Sequence, residues 1–181
     1  MKTKKAFSAV FFSLFCISSL LAISEESIKA AYLERFTMFI QWPKPIETYN
    51  VCIYNDDAFA DALQKNYASR LFNNHPLNVI PLRIGTPEEK TLTCHILYFR
   101  NSKPNQHESY LNALLKNNIL IISDNAADTK KGAMIGFYLE KNLFRFVINQ
   151  RNLEDARLNA SYKLLNFATV IEPTGGQNAA K

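Results

Sequence analysis

Apolar residues recur at three- and four-residue spacing across residues 27–41, where Ile28, Ala31, Tyr32, Arg35, Phe36, Phe39 and Ile40 keep a helical period until Trp42-Pro43 ends it. The pattern predicts a helix with a wide apolar face. Residues 51–54 form a short apolar run closed by Asn55-Asp56-Asp57, which supply turn and N-cap chemistry for a second helix carrying Phe59, Ala62, Leu63 and Tyr67. After the punctuation at 73–76, residues 77–84 read as a strand whose Pro81 argues for a sheet edge or a bulge. Thr86-Pro87-Glu88-Glu89 then suits one helical turn. Strands are expected at 94–99 and 119–123, separated by a helix at 105–117.

These two strands are apolar at nearly every position, as strands covered on both faces are. A loop with Asp124, Asn125 and Asp128 follows, and residues 133–140 and 144–149, joined by Lys141-Asn142-Leu143, suit a β-hairpin. Helices are expected at 153–157 and 161–171, and residues 172–181 read as a flexible Gly/Pro/Gln/Asn-rich tail. No repeat or linker interrupts residues 25–171. The fold class is therefore α/β: a single-domain mixed, mainly parallel sheet with helices on both faces and a C-terminal β-hairpin plus helix.

The first residues change the setting. Lys2, Lys4 and Lys5 precede an uncharged run at 6–23, and Ala22-Ile23-Ser24 places small residues before Glu25, the layout of a signal peptide at 1–24. The rival reading is a retained anchor, since 18 uncharged residues just span a hydrocarbon core of about 30 Å. Phe15 before Cys16 argues against a lipoprotein cleavage site.

The 181-residue chain has 21 Lys+Arg against 16 Asp+Glu. Removing residues 1–24 takes away three Lys and no acid, leaving 18 basic residues against 16. The basic balance is thus mostly the leader, and no Lys/Arg stripe remains to neutralise a nucleic acid. Cys16 leaves as well, so Cys52 and Cys94 are the cysteines of the exported chain. In an oxidising compartment they are candidates for a disulfide, each placed at the first or second residue of an expected strand; the alternative is two buried thiols.

Candidate chemistry is sparse. The five glycines form no G-x-G-x-x-G and no P-loop, there is no Gly-x-Ser-x-Gly, and His75, His95 and His107 lack metal-ligand spacing. No catalytic residue, metal or cofactor is expected. Asp56, Asp57 and Asp124 each follow a strand, where open α/β sheets bind ligands, and this is similar to the acidic pocket of a response-regulator receiver. Export argues against phosphoryl transfer, and Asp56 and Asp57 read equally well as helix caps. Arg145 and Asn149 share one strand face across Val147, opposite Phe144, Phe146 and Ile148. That face is either a polar contact surface or small anion site, or a solvated face with Arg145 paired to Glu140 or Glu154.

Several segments together resemble one family. They are the helix at 29–43 ending in Trp42-Pro43, the strand and helix at 51–63, and Cys94-His-Ile-Leu-Tyr-Phe99. The most specific are Gly132-Ala-Met-Ile-Gly136 with Arg145-Phe-Val-Ile-Asn149, and Ser161-Tyr-Lys-Leu-Leu165. The resemblance is to the YfiR (HmsC) family of exported bacterial proteins, and it spans residues 28–171. It implies a homodimeric periplasmic regulator that represses an inner-membrane diguanylate cyclase through the cyclase's periplasmic sensor region, lowering cyclic di-GMP and biofilm formation. An OmpA-like outer-membrane lipoprotein can sequester such a regulator. The family also implies a structural disulfide, matched here by Cys52 and Cys94. The chain departs from the pattern in lacking a second cysteine pair after residue 24, and in Tyr162 and Lys131, where small residues are common. The partner- or ligand-facing candidates are Arg145, Asn149, Asp124 and Asp128. A different outcome would be a periplasmic small-molecule-binding sensor serving another membrane receptor.

Overall fold

The computed structural model describes residues 24–83, 85–100, 111 and 113–171. The expected leader, the tail at 172–181 and most of the helix expected at 105–117 lie outside the described residues. Helix α1 (Glu25–Phe39) starts at Ser24, whose hydroxyl accepts the Ser27 N–H at 3.1 Å, and Glu25 and Glu26 place negative charge at its positive end. Among the described residues no helix is long and apolar enough to cross a membrane.

Six further strands and helices lead into the centre of the molecule: β1 (Ile40–Gln41), β2 (Tyr49–Tyr54), α2 (Asp57–Tyr67), β3 (Leu77–Leu82), α3 (Glu88–Thr91) and β4 (Ile96–Phe99). Then come β5 (Leu120–Ser123), a 3-10 turn (Ala126–Lys131), β6 (Ile135–Glu140), β7 (Leu143–Asn149), α4 (Gln150–Asp155), β8 (Asn159–Ala160), α5 (Tyr162–Leu165) and β9 (Thr169–Ile171). Seven strands form one mixed sheet in the order β3-β2-β4-β5-β6-β7-β9, antiparallel only between β6 and β7. Its five parallel strands run in the order 2-1-3-4-5 when counted from β2, which puts the topological switch point between β2 and β4.

β4 and β5 are buried at all four positions, so both faces of the sheet's centre are covered. On one face α1 buries Leu33 and Phe36, with the Phe36 ring 5.1 Å from Phe146 and 5.9 Å from Phe137. α2 joins it there, Phe59 lying 4.7 Å from Tyr98. Pro81 sits in β3, at the edge of the sheet as expected, where a missing N–H breaks no ladder.

Several boundaries differ from the sequence reading, among them α4, expected at 153–157 but begun at Gln150 behind the Asn149 cap. The helix expected at 161–171 is a single turn, α5, followed by β9, which pairs parallel with β7 and extends the sheet. Thr169-Val170-Ile171 is β-branched throughout, and the open edge of β7 gives it partners that a continued helix would forgo. The first helix stops at Phe39 because Ile40 and Gln41 pair antiparallel with β8. The hairpin turn is two residues, Lys141 and Asn142, so Leu143 belongs to β7 and faces Glu140. Finally, β2 begins at Tyr49 and β4 at Ile96, which puts Cys52 fourth in its strand and Cys94 ahead of its own.

Candidate functional site

β2, β4 and β5 end level with one another, Tyr54 opposite Phe99 and Phe99 opposite Ser123. The chain therefore delivers Asp56, Arg100 and Asp124 to one place, just beyond the carboxyl ends at the switch point. The Arg100 Nε lies 3.3 Å from Asp56 Oδ2 and 3.2 Å from Asp124 Oδ2. Asp56 is buried, and its Oδ1 caps α2 by accepting the Phe59 N–H at 3.1 Å. Among the described residues its Oδ2 makes no hydrogen bond and meets the Arg100 guanidinium as an ion pair. Burial opposes the charge on Arg100, but Asp56 beside it holds the guanidinium's pKa above its ordinary value.

Below this pair of carboxylates lies Tyr98, fully buried, its hydroxyl without a hydrogen bond among the described residues. Burial pushes the phenol's pKa up, and the negative charge of Asp124 pushes it further, so Tyr98 stays protonated. α1 adds Lys29, itself buried, with Nζ 2.6 Å from Glu25 Oε1 and 5.9 Å from the Tyr98 ring. Asp56 and Asp124, weighed from the sequence as an acidic pocket or as structural groups, are thus bridged by a guanidinium of the same chain. No group of three or more His, Cys, Asp or Glu among the described residues could hold a metal ion. Arg100 was the residue that sequence reasoning missed; its signal is its place directly after an all-apolar parallel strand, the place Asp124 takes after β5. Asp57 points elsewhere, to an exposed ion pair with Arg83 at 2.7 Å.

The other expected residues divide into two groups. Asp128 is 1% exposed and accepts the Ser123 hydroxyl at 2.6 Å, which pins the 3-10 turn to the end of β5. Asn149 donates through Nδ2 to the Thr129 carbonyl at 2.8 Å and accepts the Asn152 N–H at 3.1 Å as the N-cap of α4. Asp128 thus ties the turn to β5, and Asn149 ties it to the hairpin. The same turn lies so close to β6 that a Cβ on Gly136 would come 2.6 Å from Ala126 Cα, which is why glycine stands there. Arg145, by contrast, is half-exposed and lies 3.5 Å from Glu140. The strand therefore does not gather Arg145 and Asn149 into one polar site: the first faces solvent near the hairpin tip, the second the 3-10 turn.

Cys52 and Cys94 form a disulfide, with Cα atoms 5.8 Å apart, that joins the middle of β2 to the approach of β4. Next to it, His95 Nδ1 accepts the Asn50 N–H at 3.0 Å, and burial lowers the imidazole's pKa below 6.5.

A groove of about 490 Å³ runs between α1 and the β7 and α5 region. Tyr32, Phe36 and Phe39 line it from the helix and Phe146, Leu164 and Phe167 from the other side. The Tyr32 hydroxyl donates to the Phe144 carbonyl at 3.3 Å and so fixes the helix to the strand beneath. Arg35 lines the groove as well, and Arg145 borders it with its side chain on the opposite strand face from Phe146.

A model of the family described as YfiR/HmsC-like matches residues 26–169, an interval that runs from the first turn of α1 to the start of β9. No curated protein matches the chain.

Proposed function

The chain belongs to the YfiR/HmsC-like family, and from that premise we propose that it is a periplasmic regulatory protein that represses an inner-membrane diguanylate cyclase by binding its periplasmic sensor region. Lower cyclic di-GMP and reduced biofilm formation are the outputs. The observation that carries this reading is the family match across almost the whole described fold. The disulfide suits an oxidising compartment, and residues 1–24 would serve as the export signal. The protein acts by binding and not by catalysis, as a homodimer, with an OmpA-like outer-membrane lipoprotein as the partner that withdraws it.

Repression by binding requires the inactive cyclase to be held more tightly than the active one. A differential of about 3 kcal/mol gives a bias of roughly a hundredfold, a size that one interface supplies. Arg145 and Asp124 are the charged contacts proposed for that interface, with Asp128 and Asn149 positioning the turn behind them. Arg145 suits the role because its half-exposed pair with Glu140 adds little to folding, so a partner's carboxylate can take the guanidinium at small loss.

The test is cellular cyclic di-GMP in a strain lacking the chain, in the restored strain, and in one carrying Arg145→Ala. The expected result is a rise on deletion, reversal on restoration, and failure of Arg145→Ala to reverse it at equal periplasmic abundance. An unchanged level on deletion, with the cyclase expressed, would overturn the repressor reading.

A further inference from the structure

We propose that the groove between α1 and β7 is a binding site for a small amphipathic monocarboxylate, a ligand distinct from any protein partner. Its volume of about 490 Å³ falls within the range of small-molecule sites, roughly 300–1,000 Å³. The walls are formed in advance. Tyr32, Phe36 and Phe146 interlock at ring separations of 5.1–5.9 Å, and the Tyr32–Phe144 hydrogen bond holds helix and strand at a set distance. At the mouth Phe167 is 78% exposed, a large apolar ring left in water beside an apolar groove.

The charge of the lining selects among apolar occupants. It contains Arg35 and no acidic residue; Arg145 borders the groove, but its side chain leaves on the opposite strand face from Phe146, beside Glu140. Arg35 makes no ion pair among the described residues. An apolar amine would meet a like charge. A neutral apolar molecule would fill the groove and leave Arg35 without a counter-charge. A molecule with an apolar body and one carboxylate satisfies both features, because guanidinium–carboxylate contacts are directional and strengthen as the surroundings become less polar.

The experiment titrates the purified exported protein with octanoate, octanamide and octylamine, reading heat of binding and shift of the unfolding temperature. Octanoate is expected to bind saturably, about tenfold more tightly than octanamide, the ratio that one charge-assisted contact gives. Octylamine is expected not to bind. Arg35→Gln should abolish the preference for the acid while keeping affinity for the amide, and Ala31→Trp should block both by filling the groove. Ala31 and Arg35 are exposed, so both variants are expected to unfold at the wild-type temperature without ligand. Equal affinity for octanoate and octanamide, or octanoate binding that survives Ala31→Trp, would overturn the proposal.

Discussion

His95 supports the fold as a neutral imidazole, because its Nδ1 must be free of a proton to accept the Asn50 N–H. Burial holds its folded pKa below the ordinary 6.5. Well above pH 6.5 both folded and unfolded chains carry the neutral ring, and the residue adds no pH dependence. As pH falls below that value the unfolded chain takes up the proton first, so stability declines until pH passes the depressed folded pKa. Urea midpoints measured from pH 7.5 to pH 5 should therefore fall toward acid. His95→Asn, which keeps an acceptor but does not titrate, should flatten that slope; an identical slope in the variant would show that another group sets it. At the same scale, Arg100 shows how one side chain changes what its neighbours mean: Asp56 and Asp124, read alone, resemble an acidic pocket, and with the guanidinium between them they form an ion-pair cluster at the sheet's rim.

The hairpin shows the same dependence of local chemistry on its setting. Lys141 and Asn142 both have positive φ, 50° and 62°, the conformation of a two-residue turn whose twist matches the strands it joins. Asparagine tolerates that region, whereas lysine is held there at a penalty of about 1 kcal/mol. Lys141→Asn should accordingly raise stability by about 0.5 kcal/mol or more, measured by urea denaturation, and leave repression unaffected. The hairpin itself was legible in the alternation of its strands. The turn was read one residue too long because Leu143 is exposed and lies on a polar face, so nothing in its own character marks it as paired. β9 was misread for a related reason: Ser161 does cap a helical turn, but the continuation of that turn is decided by the open edge of β7.

Across the whole molecule the disulfide is a long-range constraint, since it ties β2 to the approach of β4 across 42 residues of sequence. Closing a loop of that size contributes about 4 kcal/mol by restricting the unfolded chain. The double variant Cys52→Ala/Cys94→Ala should lose a similar amount, read as a lowered urea midpoint, and reductant should do so only once the buried sulfurs become accessible. Features that depend on near neighbours or on composition are legible in the residues themselves. These include the parallel core from its all-apolar runs, the edge or bulge marked by Pro81, the cap from Asp56, and the family resemblance, whereas the cap at Ser24 emerges only in the fold, since Ser24 reads as the end of the leader. Tertiary structure alone decided which distant groups meet. Arg100 reaches Asp56 and Asp124 because three parallel strands end in register, Asp128 and Asn149 are turned inward by the 3-10 turn packed against Gly136, and Ile40–Gln41 and Thr169–Ile171 become strands because partners lie beside them. The physical reason is that hydrogen-bond ladders and ion pairs between segments far apart in the chain depend on the relative placement of those segments, which no local pattern of residues encodes.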